Sequence, residues 1–233
     1  MDKGILLAIL ILSFAAIVFS LNTGNYFVGD KGEKSVSMMV PAVDAEGKGF
    51  LLKMDVEVRR GAGMLNIISE GDEITISGGT EDSFKTAVAA AARISGADFG
   101  KMDVTFVIHR KGYIAGSSAA ASAVVGLVSL AQNRKIRKDA LITGSLDENG
   151  KINRVGFILE KANAAKETGY EILLVPEGEA KVWVIPEGCR RDDGSSLPGC
   201  RPEKEEVDVM EATEIKIIEV SDLEEAAEFM LEG

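Results

Sequence analysis

The sequence predicts an α+β fold, formed by one domain over residues 35–233, and three observations support this. First, strand and helix patterns are mixed along the chain without the regular βαβ alternation of a parallel sheet. Second, the 233 residues are 46% hydrophobic and 27% charged, a composition typical of a globular protein with a substantial core. Third, the N-terminal part of this domain has four runs of strand character: SVSMMVPAV, FLLKMDVEV, MLNIIS and EITIS.

Two helices with a strand between them are predicted in the middle of the chain. The segment EDSFKTAVAAAARIS follows Gly78 and Gly79, carries acidic residues in its first turn and is predicted to be helical. DVTFVIHR then returns to a strand pattern. A second, apolar helix is predicted to open at Gly116 and Ser117 and to run to about Gln132.

The C-terminal part begins with a predicted hairpin. DALITGSL and KINRVGF flank residues 147–150, whose Asn-Gly pair is a strong hairpin signal. A helix is predicted from about Ile158 to Thr168, and the strand EILLVP follows it. An insert with two cysteines near residues 181–210, the strand EIKIIEV and a final helix from Ser221 complete the domain.

The net charge restricts the partners of the domain. The formal charge is -11, and the sequence has no cluster of lysines and arginines. Nucleic-acid binding requires a basic surface that faces the phosphates, so nucleic acid is not expected as a partner.

The first residues differ from the rest of the chain. Residues 4–21 carry no charge, and as a helix they would extend for about 27 Å, close to the thickness of a bilayer core. We therefore predict a single-pass membrane anchor in residues 1–21 and a polar tether in residues 22–34. A cleaved signal peptide, with Val18–Ser20 as its cleavage site, is the alternative, but its apolar core is usually shorter. Lys3 next to the apolar run favours an inner N-terminus and an extracytoplasmic domain.

The two cysteines support the same location. Cys189 and Cys200 flank the polar loop RRDDGSSLPG, and two cysteines around one loop suggest a disulfide formed in an oxidising compartment. Zinc is a poorer interpretation, because the loop offers no third and fourth nitrogen or sulfur ligand. We expect neither a metal nor a cofactor.

Two segments contain residues that could carry out chemistry. In KGYIAGSSAAASAVVG, Ser117 and Ser118 are either small residues for helix packing or include a nucleophile. Lys161 shares the apolar face of its helix with Phe157, Ile158 and Ala165 at helical spacing. Such a lysine either extends its amine to water or is desolvated, and a desolvated amine can accept a proton from a serine.

The segments YIAGSSAAASAVVGLVSL and ALITGSLDENGKINRVGFILEKANAAKETGYEILLVPEG resemble the proteolytic domain of the Lon proteases. That family pairs a serine in an Asp-Gly-Pro-Ser-Ala-Gly pattern with a lysine in a Gly-Gly-x-x-x-Lys pattern. The resemblance implies Ser118 as the nucleophile, preceded by Gly116 and Ser117, and Lys161 as the base. Thr143 matches the threonine of the family's Thr-Gly pair, and we expect its hydroxyl to bind the neutral amine.

The resemblance also implies a fold, an activity and partners. The fold is that of the second domain of ribosomal protein S5, and the activity is a serine endopeptidase that forms an acyl-enzyme with peptides or unfolded proteins. The sequence has no G-x-x-x-x-G-K-[ST] loop, so the ATPase module of ordinary Lon is missing and an ATP-independent relative is expected. A homo-oligomeric ring, commonly a hexamer in the family, is the assembly that the resemblance implies.

Some residues depart from the family pattern. Ala115 stands in place of a frequent aspartate, Ser117 in place of a proline and Phe157 in place of a glycine. His109 lies in a strand where the family often carries histidines, but its register is loose, so we predict a structural or surface role for it.

Two other functions fit parts of the sequence. The loss of aspartate at Ala115 is compatible with a catalytically inactive, membrane-anchored peptide-binding module. AGSSAAAS also resembles the phosphate loop of the galactokinase, homoserine kinase and mevalonate kinase group, although Ile114 stands where the first glycine of that loop belongs.

Overall fold

The computed structural model describes residues 27–28, 32–69, 74–110, 112–114, 116–147, 149–184 and 205–233. The strands in these ranges are Phe27–Val28 (β1), Lys34–Val43 (β2), Gly49–Arg60 (β3), Leu65–Ser69 (β4), Ile74–Ile76 (β5), Met102–Ile108 (β6), Gly112–Ile114 (β7), Ala140–Ile142 (β8), Ser145–Leu146 (β9), Ile152–Asn153 (β10), Ile172–Pro176 (β11), Lys181–Val184 (β12), Glu205–Asp208 (β13) and Lys216–Val220 (β14). The α-helices are Gly78–Ser95 (α1), Ala120–Gln132 (α2), Ile158–Glu167 (α3), Val209–Thr213 (α4) and Leu223–Met230 (α5), and Phe99–Lys101 forms a 3-10 turn.

The larger sheet has the order β1-β2-β3-β6-β4. Its central strands are antiparallel, with Met38 opposite Met54 and Val56 opposite Phe106, and β4 runs parallel to β6. Alternate residues of β2, β3 and β6 are buried and apolar, as the period of two in a half-covered strand predicts. This apolar face forms the main core with α1 and α2.

The opposite face of β2 and β3 is covered by α3. Met39 and Leu51 on these strands pack with Ile158 and Ala162 of the helix in a second apolar cluster. The helix lies directly on the sheet at Gly49, where an added Cβ would be 1.9 Å from the carbonyl oxygen of Glu160. Only glycine allows this close approach, which fixes α3, and with it Lys161, relative to the sheet.

A smaller, wholly parallel sheet has the order β14-β11-β8. All residues of β8 and β11 are buried, and α3 forms part of the connection between these two strands. The mixture of helices and strands confirms the predicted class in general. The prediction of no regular βαβ alternation did not anticipate this parallel sheet, whose short, continuously apolar strands are typical of a sheet covered on both faces.

Several predicted helix boundaries are close to those observed. The helix from Ile158 ends at Glu167, one residue before the predicted end. The final helix begins at Leu223 rather than Ser221, because the side chain of Asp222 accepts from the N–H of Glu225 and caps it.

The apolar helix α2 begins later than predicted. It starts at Ala120 rather than at Gly116 and Ser117, because Gly116 has φ of +108° and the N–H of Ala120 closes a turn onto the carbonyl of Ser117. Ser118 therefore lies in this turn, immediately before the helix.

The hairpin at residues 147–150 is confirmed, since β9 and β10 pair antiparallel on either side of it. The predicted insert contains elements that the sequence analysis did not anticipate: β12 pairs antiparallel with β13, and α4 follows. Phe27–Val28, inside the expected tether, pairs with the start of β2.

Several predictions concern residues outside the described ranges. These are the membrane anchor in residues 1–21, the disulfide between Cys189 and Cys200, and the consequences of Ala115. Within the described ranges, no helix is both long and apolar enough to cross a membrane.

Candidate active site

The turn before α2 is held against the segment that leaves β8. The carbonyl of Ser118 accepts from the N–H of Gly144 at 3.1 Å, and the carbonyl of Gly144 accepts from the N–H of Ala121 at 3.2 Å. Thr143 continues the parallel pairing, since its N–H donates to the carbonyl of Leu174 on β11 at 3.1 Å. These bonds place Ser118 and Thr143 side by side, although 25 positions separate them in the sequence.

A small residue is needed where the two segments meet. A Cβ on Gly144 would lie 2.6 Å from Cγ2 of Ile152 and 3.5 Å from Cβ of Ala121. The first distance is too short for a real contact, so the position after Thr143 requires glycine. Because Gly144 has no side chain, its backbone can approach the turn at Ser118 closely.

Lys161 is a buried cation on the inner face of α3. Its side chain is 2% exposed, and the apolar residues buried on the same helix are Ile158, Ala162, Ala164 and Ala165. The amine Nζ donates to Oγ1 of Thr143 at 3.3 Å. Of the two alternatives for Lys161, the structure shows the buried amine, and this amine contacts Thr143.

Burial changes the acidity of this lysine. Desolvation lowers the pKa of Lys161 from 10.5 to about 8, while the negative charges of Glu179 and Glu160 act in the opposite direction. At pH 7, roughly one molecule in ten then carries a neutral amine, against roughly one in three thousand at the ordinary pKa. The desolvated environment makes Lys161 a usable base at neutral pH.

Thr143 is the link between Lys161 and the turn at Ser118. Its hydroxyl accepts from Lys161 and donates to the carbonyl oxygen of Ser118 at 3.4 Å. Within the described residues, Oγ of Ser118 has no hydrogen-bond partner, and so none to Nζ of Lys161. The side chain of Ser118 is partly exposed, as is that of Ser117, while Gly116 is exposed. The structure thus brings together the partly exposed Ser118, Thr143 and the buried Lys161.

Phe157 does not lie on the buried face of α3, contrary to the prediction that it would help to desolvate Lys161. It has φ of +63° and is 47% exposed at the N-terminal boundary of the helix. The left-handed backbone directs the chain away from the regular helical spacing on which that prediction depended. Phe157, Arg154 and the exposed Trp183 line a cleft of about 430 Å³ beside the start of α3.

A buried carboxylate that the sequence analysis missed also belongs to this region. Glu179 is 8% exposed, and both of its oxygens accept from the N–H of Val155 at 3.2 Å. Burial raises the pKa of Glu179, while the bond to Val155 and the positive charges of Arg154 and Lys161 oppose the increase. One signal was available: Glu179 and Thr143 follow the carboxyl ends of two neighbouring parallel strands, where sites in parallel sheets tend to form.

His109 lies in a different cluster. Its Nε2 is 2.5 Å from Oδ2 of Asp55, and the other oxygen of that carboxylate accepts from the hydroxyl of Ser37. Because this serine bonds to the aspartate rather than to the histidine, the three residues are not arranged as a catalytic triad. The structural role expected for His109 is consistent with this pairing on the larger sheet.

The described residues offer no metal site, since they include no group of three or more His, Cys, Asp or Glu side chains arranged to hold an ion. What the candidate site does contain is a partly exposed serine and a buried amine of lowered pKa, held on either side of Thr143. A hydroxyl nucleophile with a nearby base suits acyl transfer.

Comparison with known proteins gives consistent matches. The family model described as the Lon protease (S16) C-terminal proteolytic domain matches residues 34–193. The chain is 32% identical over 147 residues to Lon protease 2 of Syntrophobacter fumaroxidans. The aligned region covers 62% of this chain and 19% of that protein. It is 29% identical over 153 residues to the archaeal Lon protease of Thermococcus kodakarensis, covering 63% of this chain and 23% of that protein.

A third match covers more of the chain. The Lon protease of Chloroflexus aggregans is 27% identical over 192 residues, which are 78% of this chain and 23% of that protein. The chain therefore matches about a fifth of the length of these relatives.

Proposed function

Because the chain belongs to the Lon protease (S16) family, we propose that it is a serine peptidase in which Ser118 is the nucleophile and Lys161 is the general base. The observation that carries the proposal is the buried amine of Lys161, whose pKa is lowered to about 8 and which is joined through Thr143 to the carbonyl of Ser118. A serine hydroxyl needs such a base, because it is a weak nucleophile on its own.

The proposed reaction proceeds through an acyl-enzyme. The neutral amine of Lys161 removes the proton of Ser118 as Oγ attacks the carbonyl carbon of the peptide. The N-terminus of α2, with the positive end of its dipole, stabilises the oxyanion. The lysine ammonium then protonates the leaving amine, and a water molecule hydrolyses the ester.

The proposed reaction needs one local rearrangement. Lys161 donates to Thr143 rather than interacting with Oγ of Ser118, so its amine or the serine side chain has to rotate when a peptide binds. Catalytic hydrogen bonds often close only in the complex with substrate. The double role of Thr143, which accepts from Lys161 and donates to the backbone of Ser118, keeps the two groups near each other until then.

Peptide hydrolysis by site variants tests the proposal. Ser118→Ala should abolish cleavage of a casein-derived peptide, and Lys161→Arg should be nearly as inactive because arginine stays protonated at any usable pH. Ser117→Ala and His109→Ala are the matched controls and should keep most of the activity. A Lys161→Arg variant that cleaves at the wild-type rate would show that Lys161 is not the base.

The proposed substrate is an extended peptide or an unfolded protein, and cleavage should not require ATP. The cleft lined by Phe157 and Trp183 offers room beside the site for substrate side chains. Equal hydrolysis rates with and without Mg-ATP would support ATP independence, and stimulation by ATP would contradict it.

Two measurements address the alternative functions. Failure of a serine-reactive fluorophosphonate to label Ser118 after long incubation would favour the inactive peptide-binding module. Calorimetric detection of nucleotide binding would favour the kinase interpretation.

We also propose that residues 4–21 anchor the protein in a membrane with the domain on the extracytoplasmic side, and that Cys189 and Cys200 form a disulfide there. Mass spectrometry of protein from native membranes should find the two cysteines joined, and two free thiols would contradict both the disulfide and the location.

The proposed assembly is a homo-oligomeric ring, as in the family. Light scattering of the purified full chain should give the mass of a closed ring, with a hexamer as the expected form. A monomer at high protein concentration would contradict this proposal.

A further inference from the structure

Glu179 is a buried carboxylate with an unusual position next to the proposed site. It follows the carboxyl end of β11, its N–H donates to the carbonyl of Pro176 at 3.1 Å, and its side chain is 8% exposed. Burial of a carboxylate is costly unless hydrogen bonds or charges compensate. The N–H of Val155 and the positive charges of Arg154 and Lys161 provide this compensation.

The bond to Val155 fixes the segment that leads into the lysine helix. Val155 lies two residues before Phe157, whose carbonyl accepts from the N–H of Lys161 at 3.0 Å in the first turn of α3. Glu179 therefore ties the entry of this helix to the end of β11. Thr143, at the end of β8, holds the other end of the lysine side chain. Two neighbouring parallel strands thus hold Lys161, one through its helix and one through its amine.

We propose that Glu179 is a positioning residue of the peptidase site, which holds the start of the Lys161 helix and stabilises the ammonium that forms when Lys161 takes the serine proton. The inference rests on the proposed peptidase function. In the step, the O–H bond of Ser118 breaks, an N–H bond forms on Lys161, and the proton later passes to the leaving amine. Glu179 stays ionised throughout and gives or takes no proton.

The charges around Lys161 support this role. Glu179 contributes the largest electrostatic effect on the lysine and raises its pKa against the effect of burial, and Glu160 on α3 acts in the same direction. Arg154 and Glu219 are the other charged groups that act on Glu179. A carboxylate that increases the basicity of a buried amine stabilises its protonated form, as the buried aspartate does for the histidine of a Ser-His-Asp triad. Glu179 thus provides a carboxylate in a chain that has Ala115 where the family often has an aspartate.

Direct titration of Lys161 tests the inference independently of catalysis. The full chain carrying Ser118→Ala is labelled with 13Cε-lysine, and the Lys161 signal is assigned by its loss in Lys161→Arg. Glu179→Gln should lower the pKa of Lys161 by about half a unit or more, because an amide keeps an acceptor for Val155 but removes the charge. Glu177→Gln removes an exposed carboxylate two residues away and should leave the pKa of Lys161 within about 0.2 unit.

The pH profile of peptide hydrolysis provides the second readout. In Glu179→Gln, the acidic limb of kcat/KM should move to lower pH by the same amount, and the plateau should fall about tenfold, because the ammonium is less stabilised. A merely structural role would lower the plateau without moving the limb.

The possible results separate the two proposals. An unchanged Lys161 pKa in Glu179→Gln would overturn the inference, whether or not the wild type cleaves peptides. A lowered pKa together with a wild type that hydrolyses nothing would overturn the peptidase function, and with it the catalytic role of Glu179. A lowered pKa together with a shifted limb supports both.

Discussion

Replacement of Lys161 by methionine should stabilise the protein near neutral pH while it removes the proposed activity. The side chain is 2% exposed, and its pKa is lowered from 10.5 to about 8 by burial. At about 1.4 kcal/mol per pH unit, this difference means that the charged lysine destabilises the folded state by about 3 kcal/mol below pH 8. Methionine has a similar length and no charge, so it avoids this cost.

The sign of the pH dependence follows from proton binding. Between about pH 8 and 10.5 the unfolded chain holds the lysine proton while the folded protein has released it. The wild type therefore gains stability as the pH rises through this window, and the methionine variant lacks this gain. Loss of the hydrogen bond to Thr143 costs the variant about 1 kcal/mol at every pH. Lys161→Met should thus be about 2 kcal/mol more stable at pH 7 and about 1 kcal/mol less stable above pH 10.5.

Urea unfolding of the full chain at several pH values between 7 and 10.5 measures this difference. Lys166→Met is the matched control, since Lys166 lies 46% exposed on the same helix and its replacement leaves the buried amine of Lys161 in place. The reasoning would be refuted by a Lys161→Met variant that is less stable than the wild type at pH 7, or by a difference that is constant from pH 7 to 10.5.

Two further substitutions test the geometry of the site. Thr143→Val removes the hydroxyl that joins Lys161 to Ser118. We expect the free energy of unfolding in urea to fall by about 1–3 kcal/mol and kcat/KM to fall about 10- to 100-fold. Unchanged kinetics would contradict the linking role of Thr143. Gly49→Ala places a Cβ 1.9 Å from the carbonyl oxygen of Glu160 and should cost about 3 kcal/mol or more in the same assay. Gly79→Ala, with no atom within 4 Å of the added Cβ, is the control and should be neutral or slightly stabilising.

Local sequence patterns predicted much of the site correctly. The hairpin at residues 147–150 and the helix from Ile158 depend on neighbouring residues, and both are observed. The spacing of Lys161 relative to Ile158 and Ala165 placed it on the apolar face of its helix, and that face is buried in the structure. These features need only the period of an element and its turn residues.

Other features depend on contacts between distant segments. The turn before α2 is held by the bond from the N–H of Gly144 to the carbonyl of Ser118, and the pairing of β12 with β13 joins the two ends of the insert. Phe157 lies outside the apolar face of the helix because its backbone is left-handed. A pattern of apolar residues does not indicate this conformation for a phenylalanine.

The role of Glu179 was the least accessible from sequence. A glutamate that follows a strand is usually exposed, and the nearby Glu177 is exposed in this way. Glu179 is buried where its carboxylate meets the N–H of Val155, 24 positions earlier in the chain. The parallel sheet creates this contact, and the sequence, which shows no regular βαβ alternation, did not indicate that sheet.

The rate of covalent labelling at Ser118 tests the central claim, the pairing of Ser118 with Lys161, most directly. The full chain is incubated with a fluorophosphonate between pH 6 and 10, and the adduct is located and quantified by peptide mass spectrometry. The account predicts a single adduct on Ser118, a rate that rises with pH around a midpoint of about 8, and labelling at least about 100-fold slower in Lys161→Arg. An adduct on another residue, or a Lys161→Arg variant labelled as fast as the wild type, would contradict it.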